Sequence, residues 1–578
     1  MVKFIVQNSF TGKWIELKNP VEIISANSIS EVCNVISKVE SYVNKYSLFA
    51  GGVISYDASP AFDSSLLVNQ GDGSLPLVWF GLFKDAVPFT FSDFSSATPF
   101  ISWSSSVKQD IYNSAIASIK NSIKEGDTYQ VNYTMRQYAD FNFPALDFFQ
   151  QLCTNQKASY STFIETEDFA VCSASPELFF TYDNGMLTSK PMKGTIGRGR
   201  NLQEDLDKKK WLLNSEKNRA ENLMIVDMIR NDFGKISKTG SVRVPKLFEV
   251  EKYPTVWQMT STVISISKLS LLDILNAVFP CASITGAPKV STMKIIKNLE
   301  STPRGIYTGA VGFLTPDKKA QFNVAIRTVA IDKKHNKAVY GVGGGIVWDS
   351  TDRDEFEECR IKTKFLTEKR EKFNLFETIL WAPDSGYFLL DYHLKRLKES
   401  AEYFDFKFRI KKVTDELEKR SKLFPLLSLK VKLILQECGT FEIEFSELTD
   451  SLKKDKLILK LLPNSVSLDN LFLYHKTTNR TLYENYKKCN SKYDDVIFCN
   501  ERGEVTESSI ANIVIKIDNK LFTPSIESGL LNGTFRQYLI DKGDVTEKTV
   551  TKDILLSADS VYLINSVRKW MTVAKIVI

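Results

Sequence analysis

The run Thr367-Glu-Lys-Arg-Glu-Lys372 carries charge at five of its six positions and has no apolar period. A stretch of that kind has nothing to bury, so it divides the sequence between separate cores. Length agrees, since 578 residues exceed what one hydrophobic core serves and predict two to four domains. The division predicts a first domain over residues 1–366, a linker over 367–373 and a second domain over 374–578.

Bulk composition removes several function classes. A hydrophobic content of 43% and a charged content of 25% are ordinary for a soluble globular protein. The net charge of +6 is spread over the whole length. With no arginine-rich stripe and no zinc-finger spacing, it predicts no nucleic-acid partner. The one basic run, Lys208–Lys210, reads as a solvated helix face. The opening MVKFIVQNSFTGKW holds no apolar stretch of signal-peptide length. No window approaches the roughly 18 apolar residues of a membrane span. Eight cysteines without a CxxC pair read as buried thiols of a reducing compartment, and so predict a cytoplasmic protein. Only His335, His393 and His475 occur, which argues against a histidine-rich metal site and a Ser-His-Asp hydrolase. Chemistry is left to lysine, glutamate and a cofactor.

Short β-rich runs fill the first hundred residues. A helix follows over Ile111–Glu125, with Ile116, Ile119 and Ile123 on one face and Gly126 placed to end it. Lys193, in KPMKGTIGRG, lies between the β-compatible Leu178–Tyr182 and a Gly-Thr-Ile-Gly turn, so it is expected on a short loop beside a sheet. An ammonium partly removed from water there loses its proton more easily, and a neutral amine is a nucleophile. Glu221 opens ENLMIVDMIRND, where Leu223, Val226 and Met228 or Ile229 predict a helical apolar face with Glu221 near the accessible start. Glu355, Glu358 and Lys362 share a helix face by their i, i+3, i+7 spacing. Two such helices could aim carboxylates at one hard cation such as Mg²⁺. Spacing alone favours a plain Glu358–Lys362 salt bridge on a wet surface. Gly343–Gly345 could bare backbone N–H groups to an anion, or form a tight turn. Tyr307 and Arg327 offer a hydroxyl and a bidentate fork for a carboxylate.

In order along the first 366 residues stand AGGVISYDASPAFD, GDTYQVNYT, SPELFF, KPMKGTIGRG, AENLMIVDMIRNDFG, SITGAPK, YTGAVGF, NVAIRT, GVGGGIVWDS and EFEECRIK. So many motifs in sequence resemble the chorismate-utilising enzymes. Within that family the PMKGT lysine is similar to the branch of aminodeoxychorismate synthase component I. Gln130 stands where water-adding members carry lysine. The resemblance implies an α+β fold with a large β-sheet core and surrounding helices, and Mg²⁺-dependent amination of chorismate. It implies Lys193 as the nucleophile at ring C2 and Glu177 as general acid and base. Glu221 and Glu358 become Mg²⁺ ligands with Glu355 beside them. Tyr307, Arg327 and the amides of Gly343, Gly344 and Gly345 become carboxylate contacts, with Ser283 and Thr285 in the neighbouring loop. One departure is Gln258, where many members have histidine.

The second part carries LFETILW, DYHLKRLKESAEYF, YHKTTNR, FCNERGEVTESSIANI, LFTPSIESGLLNGTFRQYL and NSVRKWMTV. These resemble the fold-type IV pyridoxal-phosphate enzymes, which include aminodeoxychorismate lyases and aminotransferases. The resemblance implies pyridoxal 5'-phosphate as cofactor. Lys476 becomes the amine for its aldehyde and Glu507 the carboxylate for its ring nitrogen. Arg396 and the Asn532–Gly533–Thr534 turn at a helix start hold its phosphate, with Ser566 adding a hydroxyl. Thr378 is a candidate substrate contact. FET follows the linker almost at once, so this lobe is expected to be shorter than the family's.

Together the halves imply a fused two-step enzyme that makes 4-aminobenzoate and pyruvate from chorismate for folate. With no Gly-x-Cys-x-Gly turn present, a separate glutamine amidotransferase subunit is the expected ammonia donor. No membrane partner is expected, and a homodimer through the second domain is a further expectation. The competing readings are an amino-acid aminotransferase or an inactive docking scaffold for the second half, and an anthranilate synthase for the first.

Overall fold

A computed structural model describes residues 2–71, 73–92, 101–367, 372–448 and 456–578. Of the linker expected at 367–373, residues 368–371 lie outside these. The chain divides into two compact units, one of Met1–Gly197 with Lys209–Arg370, the other of Arg198–Lys208 with Glu371–Ile578. Both mix helices and sheets. No helix among the described residues is long and apolar enough to cross a membrane.

In the first unit, eighteen strands among the described residues join one hydrogen-bonded sheet system. Gln130–Asp140 lies antiparallel to Lys337–Ile346, with Gly343, Gly344 and Gly345 opposite Thr134, Tyr133 and Asn132. The three glycines therefore form neither a turn nor an open row of amides. They sit inside a ladder, and what they supply is room. A Cβ on Gly343 would fall 2.2 Å from the Tyr133 carbonyl oxygen.

Lys193 also departs from the expected loop. It lies in the strand Met192–Gly197, paired with Val256–Ile266 through a register shift between Met192 and Thr195. Gly194 takes a φ of +97° there, a conformation that glycine adopts without a Cβ penalty. A bulge of this kind re-aims the neighbouring side chain.

The helix Glu216–Ile236 begins at Ser215, whose hydroxyl accepts from the Asn218 amide. Glu221 is thus past the first turn rather than at the helix start. The buried face is Asn222, Ile225, Val226, Ile229, Asp232 and Phe233, while Leu223 is 43% exposed. The apolar stripe is rotated from the expected one because Asn222 turns inward to make hydrogen bonds. Ile225, Val226, Ile229 and Phe233 pack with Phe179, Phe180 and Val263 in one core cluster. The helix Asp352–Lys364 is capped by Thr351, which accepts from the Asp354 amide. Its first turn carries Asp352, Asp354 and Glu355, where the helix dipole favours negative charge. Its one buried residue, Cys359, joins the core of Tyr112, Tyr133 and Ile346.

The second unit holds a four-stranded and an eight-stranded sheet. Leu375–Ala382 pairs antiparallel with Leu429–Leu435, which pairs with Phe441–Glu447. LKVKLIL alternates as a half-buried strand should: Leu429, Val431, Leu433 and Leu435 are buried, and Lys430, Lys432 and Ile434 take the other face. Leu394, Leu397 and Ala401 of the helix Leu390–Phe404 complete that core. The helix Thr534–Asp541 follows Asn532 and Gly533, so the expected helix start is present.

Candidate active sites

The first site is built where the Lys193 strand meets the Glu216–Ile236 helix. Lys193 Nζ lies 3.7 Å from Glu221 Oε2. Asn222 locks the two elements together: its Nδ2 donates to the Lys193 carbonyl at 3.1 Å, and its Oδ1 accepts from Ser261 Oγ at 2.6 Å. Sequence reasoning missed Asn222. The signal was a polar residue at a core position of a largely apolar helix face. Gln258 is tied into the ladder, accepting from Thr195 Oγ1 at 2.8 Å and donating to the Gly194 carbonyl at 2.8 Å.

Gly345 faces this lysine. A Cβ there would lie 2.5 Å from Lys193 Nζ and 3.1 Å from Gln130 Nε2. Gln130 is fully buried, and neither of its amide atoms has a hydrogen-bond partner among the described residues. An unpaired buried amide is costly, so this one suits a water or a ligand that can pair with it.

Glu177 is 3% exposed and accepts from Ser283 Oγ at 2.7 Å. Burial pushes its carboxyl up to about 7, against the opposing Ser283 hydrogen bond and Lys193 charge. A carboxyl poised near neutrality can hold a proton and release it. Thr285 is placed differently from its neighbour. Its hydroxyl donates to the Cys281 and Ala282 carbonyls, both at 3.2 Å, within its own loop. The Tyr307 ring lies 5.3 Å from the Arg136 guanidinium, and burial raises its hydroxyl. Arg327, at φ +50°, donates to the Lys362 carbonyl and, at 3.4 Å, to Tyr340 Oη. Part of its fork is thus spent on the end of the Asp352–Lys364 helix.

On that helix Glu355 accepts from Ser350 Oγ at 2.7 Å. Burial raises its carboxyl, and the charge of Glu358 adds to the rise against the Ser350 bond. Glu358 pairs with Lys362 at 2.6 Å, and that ammonium draws its carboxyl down. The i, i+4 bridge exists, but not as a free surface pair, since Lys362 Nζ also donates to the Gly343 carbonyl at 2.8 Å. Glu355 Oε2 lies 2.9 Å from where a Gly344 Cβ would stand. No three acidic, histidine or cysteine side chains among the described residues form a closed metal cluster. An open set of carboxylates from two helices still suits a hard cation that keeps waters and takes the rest of its shell from substrate.

The second site is a cavity of about 280 Å³, near the lower end of small-molecule pockets. Lys476, Glu507, Arg396, Thr378, Gly533, Thr534 and Ser566 all line it. The Phe376 amide donates to the Lys476 carbonyl at 3.1 Å, and Lys476 Nζ sits 4.7 Å from the Phe376 ring centroid. Burial, helped by the neighbouring Arg396 charge, lowers this amine to about 7. Near-neutral amines attack carbonyl carbon. Glu507, in the strand Val505–Ser508, accepts from Tyr483 Oη at 2.8 Å and Asn512 Nδ2 at 3.3 Å. Burial raises its carboxyl to about 7. Ser566 Oγ donates to the Thr378 carbonyl at 3.4 Å.

Arg396 is held by a buried partner that the sequence reading quoted in FET but gave no role. Its Nε and Nη2 donate to Glu377 Oε1 and Oε2 at 2.9 and 2.6 Å, and its Nη1 donates to the Asn532 carbonyl at 3.0 Å. His393 Nδ1 lies 2.6 Å from Glu377 Oε2, and its Nε2 lies 3.3 Å from Thr534 Oγ1. Glu377, His393 and Arg396 thus brace the cradle formed by Asn532 and the helix start. Gly533 is required there, because a Cβ would lie 1.9 Å from Asn512 Oδ1. The His393–Arg396 i, i+3 spacing was a usable signal; Tyr483 and Asn512 left none. An anion at the helix start, an aldehyde at Lys476 and a basic ring nitrogen at Glu507 are what this cavity suits.

Two family models match separate parts of the chain. Residues 88–368 match the chorismate binding enzyme family, and residues 374–576 match the amino-transferase class IV family. Over 272 residues the chain is 38% identical to aminodeoxychorismate synthase component 1 of Escherichia coli (strain K12), covering 47% of this chain and 60% of that protein. It is 42% identical over 272 residues to a probable chloroplastic aminodeoxychorismate synthase of Oryza sativa subsp. japonica, covering 46% of this chain and 30% of that one. The matched part is thus less than two thirds of either relative. Anthranilate synthase component I from Streptococcus pneumoniae TIGR4 shares the fold at a TM-score of 0.54 and 23% identity, covering 63% of this chain and 92% of its own. One part of the chain is thus similar to the chorismate binding enzyme family and another to the amino-transferase class IV family.

Proposed function

We propose that the first unit aminates chorismate to 4-amino-4-deoxychorismate, and that the second converts this product to 4-aminobenzoate and pyruvate. The observation that carries the reading is Lys193 Nζ set beside Glu221 and the unpaired Gln130 amide, with Glu177 able to hold a proton near neutrality. Lys193 Nζ bonds to ring C2 while the C4–O bond breaks, and Glu177 gives its proton to the departing hydroxyl. Ammonia then bonds to C4 as the C2–N bond breaks and frees the lysine. Glu221 and Glu358, with Glu355 beside them, would hold Mg²⁺ against a substrate carboxylate. The Gln130 amide, unpaired beside Lys193, would hydrogen-bond the substrate. Ammonia would come from a glutamine amidotransferase subunit, as the component naming of the relatives suggests.

The match of residues 374–576 to the amino-transferase class IV family implies pyridoxal phosphate. When bound, this group supplies an electron sink for bonds broken next to the substrate amine. Glu507 would hold a proton at the ring nitrogen, Arg396 and the Thr534 helix start would bind the phosphate, and Lys476 Nζ would carry the proton lost on aromatisation. The test is the purified chain with chorismate, Mg²⁺, ammonium and pyridoxal phosphate, read by product mass. 4-Aminobenzoate with pyruvate is expected, and Lys193→Ala should abolish both. Formation of the ortho isomer by the wild type would overturn the reading of the first unit, and amino transfer to 2-oxoglutarate that of the second.

A further inference from the structure

The cavity of the second unit has more positive charge than its cofactor can use. Arg396, Lys430, Lys476, Arg480 and Arg568 line it, against the carboxylate of Glu507. Two of the cations are already committed. Arg396 is bound to Glu377 and the Asn532 carbonyl at the phosphate end. Arg480 donates to the Ser509 carbonyl and lies 4.8 Å from the Tyr483 ring centroid. Lys476 is the amine that reacts. Lys430 and Arg568 remain, and among the described residues neither side chain has a carboxylate within ion-pair distance.

Both flank Thr378. In the sheet register Thr378 lies opposite Lys432 and Leu380 opposite Lys430, so Lys430 is diagonal to Thr378 on the same strand pair. On that face Lys432 lies 3.7 Å from Glu444 and is not itself a lining residue, whereas Lys430 lines the cavity and has no such partner. From the other side the Thr378 carbonyl accepts from Ser566 Oγ, and Arg568 follows two residues later. Burial lowers the Arg568 guanidinium against the opposing charge of Asp495, so it is partly withdrawn from water. The loop it stands on is fixed, since the Arg568 and Val567 amides both donate to Asn565 Oδ1, at 2.8 and 3.1 Å. Exposed Lys430 and half-buried Arg568 therefore add positive charge to the cavity wall, which attracts an anionic ligand.

We infer that Lys430 and Arg568 are the two carboxylate anchors of the second active site, and that this site selects a ring amine bearing two carboxylates. The inference rests on the lyase reading for the identity of its natural substrate, and deepens it by naming the specificity residues. An amino acid with one carboxylate would leave one anchor unmatched. A dianionic cyclohexadiene, one carboxylate on the ring and one on its enolpyruvyl arm, matches both. Thr378, between the anchors, then faces the body of the ring.

The test uses the full chain loaded with pyridoxal phosphate and a stable diacid, 3-(1-carboxyvinyloxy)benzoate, against the monoacid 3-methoxybenzoate, by titration calorimetry. Wild type should prefer the diacid by on the order of 10- to 100-fold, as one extra charged hydrogen-bonded contact gives. Lys430→Gln and Arg568→Gln should each cut diacid affinity by a similar factor and erase the preference, and Lys430→Arg should restore it. Cofactor absorbance checks that each variant is folded. Should Arg568→Gln not fold, the exposed Lys430 position carries the test alone. A wild type that binds both acids equally, or a Lys430→Gln chain that keeps the preference, overturns the inference. The lyase reading fails separately, by the absence of pyruvate when 4-amino-4-deoxychorismate is supplied.

Discussion

Glu377→Gln keeps the shape of a side chain that is 1% exposed and removes its charge. Arg396, 12% exposed, then loses the carboxylate that two of its N–H groups reach, and His393 loses its acceptor at 2.6 Å. Two routes give the size of the effect. Removing one side of a buried ion pair costs about 3–5 kcal/mol. Independently, burial would raise the Glu377 carboxyl, yet Arg396 and then His393 overcome it and hold it at about 2, below its ordinary 4.5. That gap corresponds to about 3 kcal/mol of folding stability. Because the folded value is the lower one, this stability is complete above pH 4.5 and is lost as pH falls towards 2. Calorimetric melting of the full chain measures it. At pH 7 one transition, that of the second unit, should fall by at least ~6 °C while the other stays in place. At pH 3 roughly half of the difference should be gone. Coincident melting of wild type and variant at pH 7 would refute a charged Glu377 as the brace of the phosphate cradle.

Three further outcomes follow from the same geometry. Gly345→Ala puts a Cβ 2.5 Å from Lys193 Nζ, so the lysine must move. Amination of chorismate should drop on the order of 100-fold with melting nearly unchanged, measured by initial rate and calorimetry. Lys476 is lowered to about 7, so its neutral fraction grows through pH 7. The rate at which cofactor-free chain captures pyridoxal phosphate should rise with a midpoint near 7 rather than 10.5, followed by absorbance, and Lys476→Ala should give no borohydride-fixed adduct. In the first unit Glu300 pairs with Arg136 at 3.1 Å and Arg304 at 2.7 Å, all three nearly fully buried. Glu300→Gln should cost that unit about 3–5 kcal/mol in urea unfolding.

Local patterns carried much of this into the sequence, and they failed where a contact spans a long separation. The Asp352–Lys364 face was legible because i, i+3, i+7 spacing is a property of the helix alone. The LKVKLIL strand has an alternation of the same local kind. The Gly343–Gly345 run misled because three glycines usually signal a turn, while here each clears space for a group brought from elsewhere: the Tyr133 carbonyl, Glu355, and Lys193 with Gln130. The rotated face of the Glu216–Ile236 helix has the same origin. Hydrophobicity favoured Leu223, but Ser261 and the Lys193 strand offered Asn222 its hydrogen bonds, and the helix turned to make them. Likewise nothing near Glu507 in sequence points to Tyr483, which lies 24 positions away.

The two lysines show why one residue type can serve two chemistries. Around Lys193 the neighbours are carboxylates: Glu221 at 3.7 Å, with Glu177, Glu355 and Glu358 near enough for the lysine charge to lower each of their carboxyls. A site of that sign can admit a divalent cation and, through it, a carboxylate-bearing ring, while a free phosphate would be repelled. Around Lys476 the charges of Arg396 and Arg480 lower the amine against that of Glu377, a carboxylate bound to Arg396, while the one lining carboxyl, Glu507, is itself raised. That site repels a divalent cation and attracts a phosphate and anionic substrates. On the proposed function, the opposite signs would keep each ligand set out of the other site. Reversing one sign, for instance with Arg396→Glu, should therefore cost phosphate affinity far more than the neutral Arg396→Gln, since it adds repulsion to the loss of a donor.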